Sequence, residues 1–289
     1  MVRQNNLLVT GSDGQLGKCL KKISSDFNNY NFFFKKKNEL DISDDIKLDF
    51  FVKRFNINCI INCAAYTDVI HAENNKDVAR KVNIQAVDNI SKICQKHNIQ
   101  LIHISTDFIF DGKKKSFYNE LDMPNPLNFY GYTKLEGEKK MKKYKLNKSI
   151  IIRTSWLYSN HENCFVNKVL RFLETKNIIN VVSDEYGSPT NAFDLAYVIL
   201  DIIPKLDNRN IEVYNYSNLG YCSRYHFALK IKEYVKGNSQ VNSIISNNAR
   251  VIRPKFTPLD SNKLIKHFDI KIKDWKTSLR HFLKNEVFS

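Results

Sequence analysis

Short apolar runs alternate with longer amphipathic stretches through the first half of this chain. Apolar runs typical of buried strands occur at residues 7–10, 31–34, 59–63, 101–105 and 149–154. Helices are predicted at residues 16–25, 46–55, 78–97 and 130–144. Strands that alternate with helices pair in parallel through right-handed crossovers. The pattern therefore predicts an α/β fold with a doubly wound parallel sheet.

The second half of the chain has a less regular pattern. It predicts helices at 165–173, 192–203 and 224–234, a strand at 213–217 and two short helices after Pro258. We predict a first domain at residues 1–156, to which segments near 180–203 and 213–236 return. Residues 157–289 are expected to form a smaller, discontinuous α/β lobe.

Composition places the chain among ordinary globular proteins. Of its 289 residues, 43% are hydrophobic and 26% are charged. No apolar run reaches the roughly 18 residues of a membrane helix, and the polar residues 1–6 do not begin a secretory signal. The six cysteines form no CxxC pair, which favours buried free thiols and gives no reason to assign a metal. We expect a cytoplasmic protein with no membrane partner.

The formal charge of +15 raises the question of a nucleic-acid partner. The lysines are scattered along the whole chain, and no zinc-finger or aromatic RNA-binding motif accompanies them. We therefore expect no nucleic-acid partner. A positive field would still attract an anionic substrate or cofactor.

A glycine-rich turn follows the first predicted strand and opens the first predicted helix. Gly11, Gly14 and Gly17 give the spacing GxxGxxG, with Gln15 and Leu16 between the last two. Glycines let the backbone approach a pyrophosphate closely, and a helix N-terminus supplies free N–H groups. In this context the turn predicts a Rossmann-type dinucleotide site.

The end of the second predicted strand bears on the choice of cofactor. Lys35-Lys36-Lys37 stands there, where an acidic residue would favour NADH and a basic group favours NADPH. We expect NADPH or NADH, with the lysines favouring NADPH. Asp41 either caps the next helix or contacts the adenine region, and the two roles are compatible.

Three side chains form a candidate reactive group. Thr106 ends the strand at 101–105, at the carboxyl edge where ligands bind in open α/β sheets. Tyr130 and Lys134 are four residues apart and share one face of a helix. A lysine cation is expected to lower the pKa of the tyrosine, so that the hydroxyl can exchange a proton with a carbonyl oxygen. A YxxxK spacing is common and is weak evidence by itself. Here it follows a glycine turn and a hydroxyl side chain at a strand end, in the chain order that a reductase needs, which supports a catalytic role.

These residues resemble the extended short-chain dehydrogenase/reductases and, within them, the dTDP-4-dehydrorhamnose reductase family. The resemblance runs nearly end to end. It rests on the segments Gly14-Gln15-Leu16-Gly17, Asn62-Cys63-Ala64-Ala65-Tyr66-Thr67, Ser105-Thr106-Asp107, Tyr130-Gly131-Tyr132-Thr133-Lys134, Arg153-Thr154-Ser155-Trp156, Gly187-Ser188-Pro189-Thr190 and Arg253-Pro254.

The resemblance implies reduction of the 4-keto group of a nucleotide-linked 6-deoxy sugar, with residues 157–289 as the substrate-binding lobe. It implies a cofactor site that includes the glycine turn, Lys37, Asp41, Ile42, Ala64, Ala65, Tyr66, Asn83, Tyr130 and Lys134. It implies a substrate site that includes Val69, Thr106, Asp107 and Trp156; to these we add Arg253 as a phosphate partner because of its charge.

Some positions depart from the family pattern, and other functions stay open. Ile70-His71 stands in place of an acid–base pair, Cys164 precedes Phe165 in place of asparagine, and Arg224 stands in place of tryptophan. These positions border the substrate lobe, so the exact sugar is open.

Phe108 stands where sugar-nucleotide dehydratases need an acid, which argues against dehydration. Two alternatives remain: a non-catalytic NADP-binding regulatory subunit and a related sugar-nucleotide reductase or epimerase. We expect a monomer or a homodimer.

Overall fold

A computed structural model describes residues 5–160, 164–207, 210–247 and 250–287. The strands are β1 Asn5–Thr10, β2 Tyr30–Lys35, β3 Cys59–Asn62, β4 Gln100–Thr106, β5 Ile150–Thr154, β6 Leu157–Tyr158, β7 Ile178–Val182, β8 Tyr186–Gly187, β9 Thr190–Asn191, β10 Glu212–Tyr216, β11 Cys222–Ser223 and β12 Gln240–Ile244. The α-helices are α1 Gln15–Ile23, α2 Asp45–Arg54, α3 Val69–Asn74, α4 Lys76–Arg80, α5 Ala86–His97, α6 Phe129–Lys142, α7 Phe165–Thr175, α8 Ala192–Ile202, α9 Arg224–Val235, α10 Asn262–Phe268 and α11 Trp275–Phe282.

Six parallel strands form the main sheet in the order β10-β5-β4-β3-β1-β2. From β1 the chain continues to β2, which lies at one edge of the sheet. It then crosses to β3 on the other side of β1 and continues outward through β4, β5 and β10. The strand order therefore reverses between β1 and β3, and ligands of open α/β sheets bind at such a switch point. The predicted α/β fold with a doubly wound parallel sheet is confirmed.

Helices cover both faces of this sheet because its strands are apolar on both faces. In β1, Leu7 and Val9 pack in one core cluster with residues of α1 and α8. Leu8, between them, points to the other face and packs in a second cluster with residues of α2 and α5. Neighbouring side chains of a strand alternate between faces, so three consecutive apolar residues serve two layers.

The helix predicted at 78–97 is interrupted in the structure. It consists of α4, a π-helical segment at Lys81–Gln85, and α5. The π-helical segment is a single short turn between two stretches of ordinary helical period, and the sequence pattern did not reveal it. The segment contains Asn83, which lies in the site described below.

A third core cluster lies in the C-terminal half and includes residues of α7, α9 and α11. Beside it, β7 pairs in parallel with β12. Of the later segments expected to return to the first domain, β10 joins the main sheet and α8 packs in the cluster with α1. In contrast, β7 and α9 contribute to the third cluster. The domain boundary at 156 stays a prediction.

None of the helices among the described residues is long and apolar enough to cross a bilayer. The six cysteines are free thiols. Among the described residues, no group of three or more histidine, cysteine, aspartate and glutamate side chains is placed to hold a metal ion.

Candidate active site

The glycine turn lies against the loop that follows β3. Gly11 has φ +63°, and a Cβ there would come within 2.7 Å of the Ala64 backbone. A Cβ on Gly17 would come within 2.5 Å of the Gly11 carbonyl oxygen. Both positions therefore require glycine, one for its backbone conformation and both for close approach. This contact joins the ends of β1 and β3 at the switch point.

The first turn of α1 offers backbone donors at the same place. Gly14 is the N-cap residue and has no side chain to satisfy the N–H groups that follow. The side chain of Leu16 is buried in the core, and the Gln15 amide oxygen accepts a hydrogen bond from Ser159 at 3.2 Å. The open backbone donors and the cradle without Cβ atoms fit a pyrophosphate.

The predicted adenosine end lies beside this turn. The Ser12 N–H donates to the Lys35 carbonyl at 3.2 Å, which brings the end of β2 to the glycine turn. Asp41 accepts hydrogen bonds from the Ser43 N–H and hydroxyl at 2.9 and 2.7 Å. Asp44, and not Asp41, caps α2, with the Lys47 N–H at 3.0 Å. The Ile42 side chain is buried in the core.

A buried amide holds the loop after β3 against α6. The Asn83 amide oxygen accepts from the Tyr66 N–H at 2.8 Å, and its amide nitrogen donates to the Tyr66 carbonyl and the Thr133 hydroxyl, each at 3.0 Å. The Thr133 hydroxyl in turn donates to the Tyr130 carbonyl at 2.8 Å. Asn83 therefore positions the loop after β3 and the turn of α6 that carries Tyr130.

The three predicted reactive side chains lie near the carboxyl end of β4. The Tyr130 hydroxyl lies close enough to that of Thr106 to be affected by it, and the loss of solvation raises the pKa of Tyr130 to about 12. The expectation that the lysine lowers this pKa is wrong for this structure. Lys134 Nζ instead donates to the Ile104 carbonyl at 2.6 Å, and Tyr130 keeps its proton at neutral pH.

Lys134 is itself buried, with 2% of its surface exposed. Burial lowers its pKa to about 8, while the nearby Glu138 carboxylate acts in the opposite direction. Glu138 accepts from Ser105 at 2.6 Å and from Arg153 at 3.0 and 2.7 Å. A buried ion pair therefore supports the helix face that carries Lys134.

Asp107 follows β4 and is hydrogen-bonded to the C-terminal segment that contains Thr257. Its Oδ2 accepts a 2.6 Å hydrogen bond from Thr257, and its Oδ1 accepts one from Thr106 at 3.2 Å. Burial raises the pKa of Asp107 to about 6 although these hydrogen bonds oppose the shift. The carboxyl group is thus mostly ionised at neutral pH and titrates close to it.

Comparison with known proteins agrees with this geometry. Residues 5–288 match the family described as RmlD substrate binding domain. The chain is 34% identical over 286 residues to a dTDP-4-dehydrorhamnose reductase of Aggregatibacter actinomycetemcomitans, covering 95% of this chain and 97% of that protein. It is similar to the Bacillus anthracis dTDP-4-dehydrorhamnose reductase solved in complex with NADP, with a TM-score of 0.90, 33% identity and coverage of 97% and 98%.

The chain belongs to the dTDP-4-dehydrorhamnose reductase family. The resemblance inferred from the sequence motifs is therefore confirmed. It is also 32% identical over 280 residues to the spore coat polysaccharide biosynthesis protein SpsK of Bacillus subtilis, covering 96% of each chain.

Of the substrate residues that the family resemblance implies, Asp107 and Trp156 follow the ends of β4 and β5 at this edge of the sheet. Val69 begins α3, a helix that the sequence pattern did not predict and that Asp68 caps through the Ile70 and His71 N–H groups. Phe108 packs edge-on against the Tyr130 ring at 5.8 Å between centroids. The Arg253 guanidinium lies 5.9 Å from the Phe108 ring centroid.

Trp156 follows β5 of the main sheet and packs against the third core cluster. Its φ is +44°, an uncommon conformation for a large side chain. A Cβ on Gly187 would come within 2.5 Å of its indole, so the family segment at 187–190 leaves room for this ring. Arg224 packs on the same indole, with its guanidinium carbon 3.7 Å from the ring centroid. From the sequence this residue was noted only as a departure from the family pattern.

Proposed function

We propose that this protein reduces the 4-keto group of dTDP-4-dehydro-L-rhamnose to give dTDP-L-rhamnose, with NADPH as the reductant. The observation that carries the proposal is the placement of the Tyr130 hydroxyl beside that of Thr106 at the edge of the sheet that also holds the glycine cradle of α1. Family membership and the NADP bound to the Bacillus anthracis relative support the same reaction. We further propose a cytoplasmic location and a monomeric or homodimeric state.

The chain offers residues for each part of the cofactor. The glycine turn with Gln15 and Leu16 would hold the pyrophosphate, largely through backbone groups. Lys37, Asp41 and Ile42 would lie at the adenosine end, and Ala64, Ala65 and Tyr66 along the middle. When bound, NADPH supplies the hydride that adds to the carbonyl carbon.

Tyr130 supplies the proton for the carbonyl oxygen. Its raised pKa keeps the hydroxyl protonated at neutral pH, and the neighbouring Thr106 hydroxyl would hold the same carbonyl oxygen in place. As the proton leaves Tyr130 Oη, Lys134 would turn from the Ile104 carbonyl towards the phenolate and stabilise it with its positive charge, an interaction that the free protein does not make. Proton transfer by a placed side chain accelerates such a step by about 10²–10⁴-fold.

The sugar nucleotide would lie against Val69, Asp107, Trp156 and Arg253. Phe108 occupies the position where elimination of water would need an acid, so the chemistry ends at carbonyl reduction. Strand β4, helix α3 and the C-terminal segment that contains Arg253 would each contribute to this surface.

The rate of reduction should fall as the pH rises through about 8. Burial lowers the pKa of Lys134 to about 8, so the ammonium loses its charge above that pH. Tyr130, with a pKa of about 12, remains protonated through this range and does not produce the decline. The measurement is kcat against pH at saturating NADPH, and a flat profile through that range would contradict the proposed role of Lys134. A Lys134→Met variant should be slow and lack the alkaline decline.

The proposed function is tested by adding purified protein to NADPH or NADH and a panel of nucleotide-linked 4-keto sugars. We expect loss of reduced-cofactor absorbance with dTDP-4-dehydro-L-rhamnose, and faster loss with NADPH. No turnover with any sugar would overturn the reductase function. Tight NADPH binding without turnover would instead favour a regulatory subunit.

A further inference from the structure

Arg224 lies on the tryptophan of the proposed substrate site. It begins α9, where Ser223 caps the helix and the Arg224 N–H donates to the Glu185 carbonyl at 3.2 Å. Its guanidinium carbon is 3.7 Å from the Trp156 ring centroid and 5.0 Å from that of Phe165. A planar guanidinium at this distance stacks on an aromatic face and loses little further freedom on binding a ligand.

The ring beneath Arg224 is fixed in place. The Trp156 backbone has a positive φ, and Gly187 allows the indole to approach the main chain closely. The Thr190 N–H donates to the Trp156 carbonyl at 3.3 Å. Arg224 is therefore held on a preformed surface and not on a mobile side chain.

Arg224 forms no ion pair in the described parts of the chain, although two carboxylates lie near enough to act on its charge. Neither Arg224 nor Arg253 forms an ion pair among residues 5–160, 164–207, 210–247 and 250–287. The charged groups that act on Arg224 are Glu185, Arg253 and Asp107. Burial lowers the pKa of Arg224 to about 10, and Arg253 adds to that shift, yet Arg224 remains a cation at neutral pH.

Arg153 is more deeply buried than Arg224, at 3% exposed, and it does have a carboxylate partner. Arg153 makes two hydrogen bonds to Glu138 and is neutralised by it. Arg224 and Arg253 lie near one another, are partly removed from water and form no such ion pair among the described residues. Keeping two unpaired positive charges in this position costs free energy in the free protein. An anion with two charged centres would satisfy both, because guanidinium donors match phosphate oxygens.

The two arginines also lie beside the reacting groups. Arg253 packs toward Phe108, whose ring contacts Tyr130, and Arg224 acts on Asp107 at the end of β4. A sugar held with its carbonyl at Tyr130 carries its diphosphate a short distance away. The diphosphate is therefore the anionic group within reach of both side chains.

We propose that Arg224 is a substrate-specificity residue that binds the diphosphate of the nucleotide sugar together with Arg253. This inference rests on the proposed function and assigns Arg224 to a defined part of its substrate. The competing explanation is that Arg224 serves only to pack Trp156.

The test compares two ligands that differ in the diphosphate. Calorimetric titration of the NADP-saturated protein with dTDP and with thymidine is carried out for the wild type and Arg224→Gln. Loss of hydrogen bonds to a charged group should weaken dTDP binding by about 10- to 100-fold, with thymidine affinity nearly unchanged. Equal losses for both ligands, or an unchanged dTDP affinity, would overturn the proposal.

Two further variants complete the experiment. Arg280→Gln removes an equal charge from an exposed guanidinium that lies 4.9 Å from the Tyr234 ring, and it should leave dTDP binding unchanged. Arg224→Lys keeps the charge without the planar fork, so it should lose less dTDP affinity than Arg224→Gln, which gives a second measurement if the glutamine variant folds poorly. Unchanged dTDP affinity in an active enzyme would overturn this inference alone. Charge-dependent dTDP binding without turnover of any keto sugar would overturn the proposed function alone.

Discussion

Replacing Tyr130 by phenylalanine is expected to lower kcat by about 10²–10⁴-fold, because the reaction loses its proton donor. The phenyl ring can still pack against Phe108, so the cavity shape and the fold should persist. Cofactor affinity should change little, since the backbone cradle at Gly11 and α1 is untouched. Single-turnover rates together with NADPH titration by fluorescence separate these two effects.

The matched control is Tyr132→Phe. Tyr132 lies two residues along the same helix, is 42% exposed and packs against Phe129. Its hydroxyl should contribute nothing to the rate. A Tyr130→Phe variant as fast as the Tyr132→Phe variant would remove Tyr130 from the chemistry.

Replacing Glu138 by glutamine is expected to lower the free energy of unfolding by about 3–5 kcal/mol, because it leaves a buried arginine charge without a partner. Glu138 is 1% exposed and Arg153 is 3% exposed, so water cannot compensate for the lost carboxylate. Urea denaturation of the wild type and the variant gives the difference.

The same helix provides the control for this substitution. Glu136 pairs with Lys139 at the surface, and Glu136→Gln should cost no more than about 1 kcal/mol. Replacing Glu138 and Arg153 together by leucine and methionine should recover most of the loss, since the lone charge is gone. Equal stability of the two single variants would show that the buried pair contributes little.

The main sheet was predictable because its strands are short, apolar and separated by helices. Strand β1 is covered on both faces, and its residues Leu7, Leu8 and Val9 are all buried. A strand covered on both faces is visible in the sequence as a continuous apolar run. The glycine turn was predictable for a related reason, since its residues are adjacent in the chain. Chain order and the spacing of Tyr130 and Lys134 selected the candidate reactive residues, and their chemical roles stay predictions.

Other features depend on contacts between distant residues, and these leave no local signal. β7 and β12 pair across about sixty residues, and neither was predicted. The expected effect of Lys134 on Tyr130 failed because the lysine bonds to the Ile104 carbonyl, which spacing alone does not reveal. Arg224 differed from the family pattern, but its position on Trp156 emerged only from packing.

The hydrogen bond from Thr257 to Asp107 joins residues 150 positions apart, and it has a consequence for protein synthesis. The main-sheet strands β1–β5 leave the ribosome long before Thr257 is made, and chains generally begin to fold from the N-terminal end. Until residues 253–260 emerge, the Asp107 carboxyl lacks its shortest hydrogen bond, and the loop at 110–118 lacks the Tyr118 N–H bond to the Pro258 carbonyl. A nascent chain can thus pair strands β1–β5 early, while the proposed sugar-binding side of the site is assembled only near the end of translation.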